Sequence, residues 1–263
     1  MTANDARTAL VLALLLLVAR GAAASDDFYW SGAAGPGKTV EIRNINGDIH
    51  AEPARDGKLE VTAIRTARKD DPETVRIEFT QVGDHLMFCA LYPTKAGYPA
   101  NTCDAKGRSH SHSDNNDVTV EFRVKVPAGV TLEAHTVNGG IEALRLTGPI
   151  DAQTVNGEVK LSTTSWAEAS TVNGSLEVAM DGRGWPDGLD FRTVNGDIRL
   201  DVTDAVNADL RAETMNGDIA SDFPLTVLGR MKRNKVRATI GRGGPELALA
   251  TLNGSIELRR AGR

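Results

Sequence analysis

The chain has 263 residues, among them 30 Lys or Arg and 35 Asp or Glu, and its net charge is −5. This mild excess of acid gives no support to nucleic-acid binding. Glycine occurs 26 times, aromatic residues make up only 5%, and no segment after residue 25 shows a long apolar pattern of helical period. Composition and patterning therefore argue against a helical protein and predict an all-β one.

The first 24 residues have the pattern of a secretory signal peptide. Arg7 precedes the apolar run Ala9–Ala19, and the small residues Ala22–Ala24 offer a cleavage site before Ser25. The run is well short of the roughly 20 residues that a membrane-spanning helix needs. We therefore expect a mature protein that begins at Ser25 and is exported to the periplasm or cell surface. No later segment is apolar enough to span a membrane.

Residues 25–130 are the second predicted region, an N-terminal β region that contains a single Asn-Gly unit, Asn44–Ile49. Runs rich in β-branched residues predict strands at Leu59–Ile64, Thr74–Thr80, His85–Ala90 and Val118–Val126. A stack of strands leaves unpaired edges at its ends. We therefore expect this region to cap the N-terminal end of the array that follows.

Two cysteines, Cys89 and Cys103, lie on either side of a polar loop in this region. In an exported chain we expect them to form a disulfide with a structural role, because the compartment is oxidising. Free thiols and metal ligation are the alternatives.

A Ser-rich segment beyond the second cysteine contains the one pattern that suggests a metal. His110 and His112 would lie on one face of a strand, and Asp114, Asp117 or His85 could complete a zinc or copper site. The spacing matches no established metal-binding motif, and polar loops of this composition are common on protein surfaces. We therefore expect a solvated loop, and we predict no cofactor.

Residues 131–263 are the third predicted region, an array of short repeats. The repeated phrase is Thr, an apolar residue, Asn, Gly, any residue and an aliphatic residue. Its six copies begin at Thr136, Thr154, Thr171, Thr193, Thr214 and Thr251. With the unit in the N-terminal region included, the asparagines are Asn46, Asn138, Asn156, Asn173, Asn195, Asn216 and Asn253.

The spacing of these repeats suits about one coil of a β-solenoid. From Asn138 to Asn216 the steps are 18, 17, 22 and 21 residues, and the next step, to Asn253, is 37, close to two coils. We therefore predict a degenerate coil around Ile240–Gly244 and place Asn253 in the last coil. The charges that would discourage edge pairing at that end are Arg259, Arg260 and Arg263.

Parallel stacking explains why the whole phrase recurs. Each residue would lie about 4.8 Å from its equivalent in the next coil, and the asparagine amides could form a ladder along the stack. Within one copy, strand alternation predicts that Thr154 and Asn156 point one way and Val155 the other, and Asn-Gly supplies two positions that tolerate positive φ. The alternative is an antiparallel β meander, because Asn-Gly between apolar runs is also a strong hairpin signal.

The sequence contains no established catalytic motif. The acidic residues that follow Asn-Gly, and would align in stacked coils, are Asp48, Glu158, Asp197 and Asp218. A carboxylate pair about 5 to 9 Å apart in a groove would favour the alternative function, a polysaccharide-active β-helix lyase or hydrolase. We favour an exposed position without a catalytic role, because Gly140, Ser175 and Ser255 occupy it in other copies.

Two further patterns accompany the repeated phrase: V-x-V-x-F-x-V-x-V-P-x-G-V at Val118–Val130 and a terminal T-L-N-G-S-I-x-L. Over roughly Thr39–Leu258 the chain resembles the bacterial adhesin-like β-strand-repeat family, a domain of unknown function related to autotransporter-adhesin head domains. The resemblance implies a β-solenoid-like domain of the cell envelope without established catalytic residues. We therefore predict an exported, non-catalytic binding or structural module whose partner is an envelope glycan or an envelope protein.

Overall fold

The computed structural model describes residues 28–104, 116–181, 185, 187–227 and 234–261. The predicted signal peptide and the segment that carries His110, His112 and Asp114 lie outside these ranges. The described chain is almost entirely β, with one short 3-10 helix at Pro72–Thr74. In these ranges no helix is long and apolar enough to cross a membrane.

The strands of the first half are β1 (Phe28–Ala33), β2 (Thr39–Arg43), β3 (Ile49–Pro53), β4 (Lys58–Thr66), β5 (Arg76–Val82), β6 (His85–Leu91), β7 (Thr119–Val126), β8 (Thr131–His135), β9 (Ile141–Leu146) and β10 (Ile150–Gln153). Those of the second half are β11 (Val159–Thr163), β12 (Ala167–Ser170), β13 (Leu176–Met180), β14 (Leu189–Arg192), β15 (Ile198–Val202), β16 (Ala208–Asn216), β17 (Ile219–Ser221), β18 (Leu225–Val227), β19 (Lys235–Ile240), β20 (Glu246–Asn253) and β21 (Ile256–Arg260).

The strands form two sheets. The 10-stranded sheet has the order β1-β4-β7-β3-β9-β11-β13-β15-β21-β17, and the 11-stranded sheet has the order β18-β19-β16-β20-β14-β12-β10-β8-β2-β6-β5. Each regular coil gives one strand to each sheet, and successive coils pair in parallel, as β8 does with β10 and β9 with β11. The predicted β-solenoid is confirmed, and the antiparallel meander is wrong for the Asn-Gly repeats; within residues 131–263 the antiparallel pairs of the described strands are those of β19 with β16 and β18.

One apolar core lies between the two sheets and runs the length of the stack. Strands of both sheets supply it with every second side chain, such as Ile150 and Ala152 from β10 and Val159 and Leu161 from β11. Because each coil covers the apolar side chains of its neighbours, the fold needs no large globular centre.

The glycine of each Asn-Gly pair is required by close stacking. A Cβ atom on Gly174 would lie 1.9 Å from the carbonyl oxygen of Gly157 in the preceding coil, and Gly196 stands in the same relation to Gly174. The asparagines of these pairs do not have positive φ, because Arg145 is the one non-glycine residue of the described ranges with positive φ. The expectation of two positive-φ positions per copy is therefore wrong.

The threonines point into the protein, and the asparagines point out of it. Thr154 is buried, whereas both Val155 and Asn156 are exposed. The hydroxyl of Thr154 donates to the carbonyl oxygen of Gly139 at 2.9 Å, and the other copies repeat this bond at 2.8 to 3.1 Å. The predicted common face for Thr and Asn is wrong because the chain turns a corner there and strand alternation stops.

The last two coils are stacked in an order that the chain does not follow. The final strands, β20 and β21, lie between the coil of β14 and β15 and the coil of β16 and β17. Asn253 is therefore internal, and Asn216 ends the ladder. This arrangement pairs β21 along both edges, with β15 on one side and β17 on the other.

Two predictions about this end are therefore wrong. No degenerate coil forms at Ile240–Gly244, because Ile240 ends β19, which runs antiparallel to β16, and Gly241 and Gly243 turn the chain with φ of 60° and 76°. Arg259 and Arg260 lie on the internal strand β21, where they protect no edge. Arg263 lies outside the described residues.

The N-terminal end is built differently. There β4 pairs antiparallel with β1 and β7, and β5 pairs antiparallel with β6. Trp30, Phe79 and Phe88 pack together, with ring centroids 4.8 to 5.2 Å apart. Cys89 and Cys103 form a disulfide. With Met87 and Leu91 they make a small apolar cluster on the outer face of β6, separate from the main core.

Candidate functional site

The most regular exposed surface is the line of corners where the chain passes from the 11-stranded to the 10-stranded sheet. We call it the corner face and define it as residues 45–48, 137–140, 155–158, 172–175, 194–197, 252–255 and 215–218, in their spatial order. It carries three parallel columns of side chains, one apolar, one of asparagines, and one that alternates between acidic and small residues. Equivalent residues recur about every 4.8 Å along each column.

The asparagine column is a continuous hydrogen-bonded ladder. Each amide nitrogen donates to the amide oxygen of the preceding coil at 2.8 Å, from Asn138 onto Asn46 at one end to Asn216 onto Asn253 at the other. All of these asparagines except Asn46 are exposed. Since an amide has a second N–H and a second lone pair, the ladder also presents donors and acceptors to solvent.

The apolar column was not predicted from the sequence. Val155, Val172 and Val194 are each 37 to 38% exposed, and they are followed by Leu252 at 39% and Met215 at 65%. Isolated exposed aliphatic residues are common, but a row at the same position of successive coils is a continuous apolar stripe. Such stripes are typical of interaction surfaces.

The acidic residues alternate with small ones in space. The order along the stack is Asp48, Gly140, Glu158, Ser175, Asp197, Ser255 and Asp218. Asp48 accepts from the backbone N–H of Gly140, and Asp197 accepts from that of Ser255, both at 2.7 Å. These two carboxylates therefore link their corner to the backbone of the next coil. Their nearest acidic equivalents are two coils away, about 9.6 Å along the stack.

Of the residues weighed as metal ligands, Asp117 and His85 lie in the described ranges, and each contacts other groups; the expectation of a solvated loop at His110 and His112 stays a prediction. Asp117 accepts backbone hydrogen bonds from Arg68, Lys69 and Asp70, which lower its pKa. His85 lies instead on the outer face of the 11-stranded sheet, with its Nε2 atom 3.0 Å from Oε2 of Glu41.

Near His85 the structure places other side chains of the kinds that bind metals, two glutamates and a histidine. Glu41, Glu133 and His135 each offer a ligand atom within 4.8 Å of the others, and theirs is the one such group in the described ranges. Burial raises the pKa of Glu133, as does the charge of Glu41. Sequence reasoning missed this group, although Glu41 and Glu133 stand at the same offset before their corners and so had to be neighbours in a parallel stack.

Fold and corner repeats together define the class of the protein: a β-solenoid in which one pattern of hydrogen bonds recurs along the corner face. The model of one family, Toastrack DUF4097, matches residues 109–259, more than half of the chain, and the protein belongs to this family. The resemblance stated from the sequence is thereby confirmed.

Two solved structures are similar to this chain, and the first of them shows a similar fold. One, called a "putative cell adhesion protein", from Clostridium sporogenes, has a TM-score of 0.52 at 11% identity, with 89% of this chain and 99% of that chain covered. A second, called a "putative adhesin", from Bacteroides fragilis, has a TM-score of 0.36 at 10% identity, with coverage of 90% and 99%. A search of curated proteins finds no match.

Proposed function

We propose that this protein is an exported, adhesin-like and non-catalytic module of the cell envelope, and that it binds an envelope glycan along the corner face. One observation carries the proposal: successive coils expose an aliphatic side chain and an amide at the same two positions. Val172 and Asn173 form one such pair, and Val194 and Asn195 form the next. The repetition creates a row of equivalent small sites.

The two columns suit a sugar polymer. Amides pair with hydroxyl groups as donors and acceptors, and aliphatic side chains pack against the C–H faces of sugar rings. Each contact is weak, but contacts along one polymer act together, so that a repeating surface gains affinity from a repeating ligand. An envelope protein is the alternative partner. A non-catalytic function is supported by Asp48 and Asp197, whose carboxylates accept backbone hydrogen bonds from the adjoining coil.

Export is part of the proposal. It is supported by the apolar run Ala9–Ala19 before a small-residue cleavage site. The disulfide between Cys89 and Cys103 also supports it, because disulfides persist in oxidising compartments. Intact-mass analysis of protein recovered from the periplasmic or secreted fraction should give a chain that begins at Ser25. A mass that includes residues 1–24 would contradict export by this route.

The binding proposal is tested with the mature protein on an array of bacterial envelope glycans. The decisive variant replaces Val155, Val172 and Val194 with Ser, which removes the centre of the apolar column. The matched control is Val82→Ser, because Val82 is also an exposed valine, at 55%, but lies on β5 away from the corner face. Circular dichroism and thermal unfolding show that each variant is folded.

We expect the wild type and the control to bind the same glycans, and the triple variant to bind them at least about tenfold more weakly. Unchanged binding by the triple variant would contradict the assignment of the corner face. Glycan fragments released during incubation would contradict the non-catalytic function. If no glycan bound and an envelope protein were captured through the same valines, the glycan would be the wrong ligand.

A further inference from the structure

A group of histidine and glutamate side chains on the outer face of the 11-stranded sheet lies outside the corner face. Glu41 and Glu133 are opposite each other on the adjacent parallel strands β2 and β8. His135 lies two residues beyond Glu133, on the same outer face. His85 comes from β6, on the other side of β2. Three strands that are distant in sequence thus direct two imidazoles and two carboxylates to one place.

Each imidazole nitrogen of this group lies within 4 Å of a carboxylate oxygen, and Glu41, Glu133 and His135 offer ligand atoms that all lie within 4.8 Å of one another. His85 Nε2 lies 3.0 Å from Glu41 Oε2 and 3.7 Å from Glu133 Oε2, and His135 Nε2 lies 3.9 Å from Glu41 Oε1. In a tetrahedral zinc site, bonds of about 2.0 to 2.2 Å place the ligand atoms about 3.3 to 3.6 Å apart. The measured separations lie on both sides of this range.

The buried atoms at the centre of the group lack hydrogen bonds. Glu41 is only 4% exposed, and its Oε2 atom makes no hydrogen bond, nor does the buried Nε2 atom of His85 that faces it. The other oxygen of Glu41 is paired with Arg43. A buried carboxylate oxygen that faces an imidazole nitrogen at 3.0 Å without a hydrogen bond to it is costly, and two carboxylates directly opposite on neighbouring strands repel each other. A bound cation would remove both costs.

We propose that Glu41, Glu133, His85 and His135 form a binding site for a divalent transition-metal ion of the zinc class. Imidazole and carboxylate together are a ligand set that zinc accepts. Four protein ligands leave no open position for a substrate, so the site is structural and not catalytic. It is independent of the proposed glycan binding.

The position of the site indicates what the ion would hold together. β6 belongs to the N-terminal end, and β8 is the first strand after it in the regular array, with β2 between them. A cleft of about 300 Å³ beside the site is lined by Glu41, His135 and Asn101. The carbonyl oxygen of Asp104, just beyond the disulfide, accepts from Arg43 and so ties this segment to the site. The ion would join the N-terminal end to the first coils.

The test uses the mature, disulfide-intact chain without an affinity tag, stripped of metal with EDTA. Zinc binding is measured by calorimetry and by metal analysis after dialysis, and Co²⁺ absorption in the visible range reports tetrahedral coordination. The main variant is His85→Ala with His135→Ala. Glu133→Gln is the milder second variant, because this side chain is 32% exposed and its loss does not open the core. His50→Ala is the matched control, an exposed histidine on β3 in the other sheet.

We expect one zinc ion per wild-type chain, a rise in the thermal midpoint with zinc, and the same results for His50→Ala. The double variant should bind at least about a hundredfold more weakly and lose the shift in midpoint, and Glu133→Gln should bind at least about tenfold more weakly. The proposal is overturned if the wild type binds no stoichiometric zinc, if the double variant retains the affinity, or if the control loses as much as the variants.

Discussion

The regular array and the N-terminal end of the same stack are stabilised in different ways. In the array, one set of contacts is repeated from coil to coil: a buried threonine hydroxyl, a glycine that permits close approach and an asparagine amide. At the N-terminal end, contacts occur once each, such as the disulfide, the Trp30 cluster and the bonds to Asp117. The repeated contacts contribute to stability coil by coil, and they appear in the sequence as a period. The single contacts of the N-terminal end do not repeat and leave no period in the sequence.

The largest expected effect is at the glycines of the array. Gly174→Ala would place a Cβ atom 1.9 Å from a backbone oxygen, which no side-chain movement relieves. The coils must separate, and we expect a loss of about 3 kcal/mol or more in the free energy of unfolding, measured by guanidinium denaturation.

The matched control for that substitution is Gly35→Ala at the N-terminal end, where an added Cβ atom meets no atom within 4 Å. It should change the free energy of unfolding by no more than about 0.5 kcal/mol. Similar losses in the two variants would show that the corner glycines are not held by close stacking.

The next effect is that of the disulfide. Cys89 and Cys103 close a loop with a sequence separation of 14, so replacing both with Ser should cost about 3 kcal/mol in the chain-entropy model. The loss should be local, because distant coils contact only their own neighbours. Hydrogen exchange should therefore quicken in β5 and β6 and stay unchanged in β11 and β13. Equal loss of protection in all four strands would mean that the two regions unfold as one unit.

A smaller effect on stability tests the order in which the final coils are stacked. Asn253 donates to Asn195 and accepts from Asn216, whereas Asn216 ends the ladder with one such bond. At about 0.5 to 1 kcal/mol per exposed bond, Asn253→Ala should cost roughly twice as much as Asn216→Ala in urea denaturation. The opposite ranking is expected if the coils stack in chain order, and it would contradict the exchange of the last strands.

The smallest effect concerns pH. Backbone hydrogen bonds, that from Asp70 first, lower the pKa of Asp117 from its ordinary 3.8. A lowered pKa in the folded state contributes stability above the ordinary value and loses it as pH falls through the lowered value. The protection of the amides at residues 68–70 against hydrogen exchange, relative to the unfolded chain at the same pH, should therefore fall in that acidic window, and Asp117→Asn should abolish this fall. The amide ladder has no titrating group and should not respond.

The repeats made the array predictable. The equal offset of Thr, Asn and Gly in six copies indicated parallel stacking and aligned asparagines. The inward direction of Thr was also visible and was missed, since in Ile150, Ala152 and Thr154 the threonine continues the period of two of the buried residues before it. The stacking order of the last coils could not be predicted. A step of 37 residues from Asn216 to Asn253 fits a final coil stacked beyond that of Asn216, and it also fits a final coil inserted before it.

The zinc-class site could be predicted only in part. Glu41 and Glu133 share an offset from their corners, and parallel stacking alone makes them neighbours. His85 has no repeat equivalent, and its position depends on how β6 joins the sheet beside β2. A residue outside the period acquires its neighbours from tertiary structure, which the pattern of the sequence does not contain.

The central claim is that binding is distributed along the corner face, and a graded series of variants tests it most directly. Using the strongest glycan found on the array, the dissociation constant is measured for Val172→Ser, then with Val155→Ser added, then with Val194→Ser added. We expect each substitution to weaken binding by a similar factor, because equivalent contacts contribute jointly. Loss of all binding on the first substitution, or no change after the third, would contradict the claim.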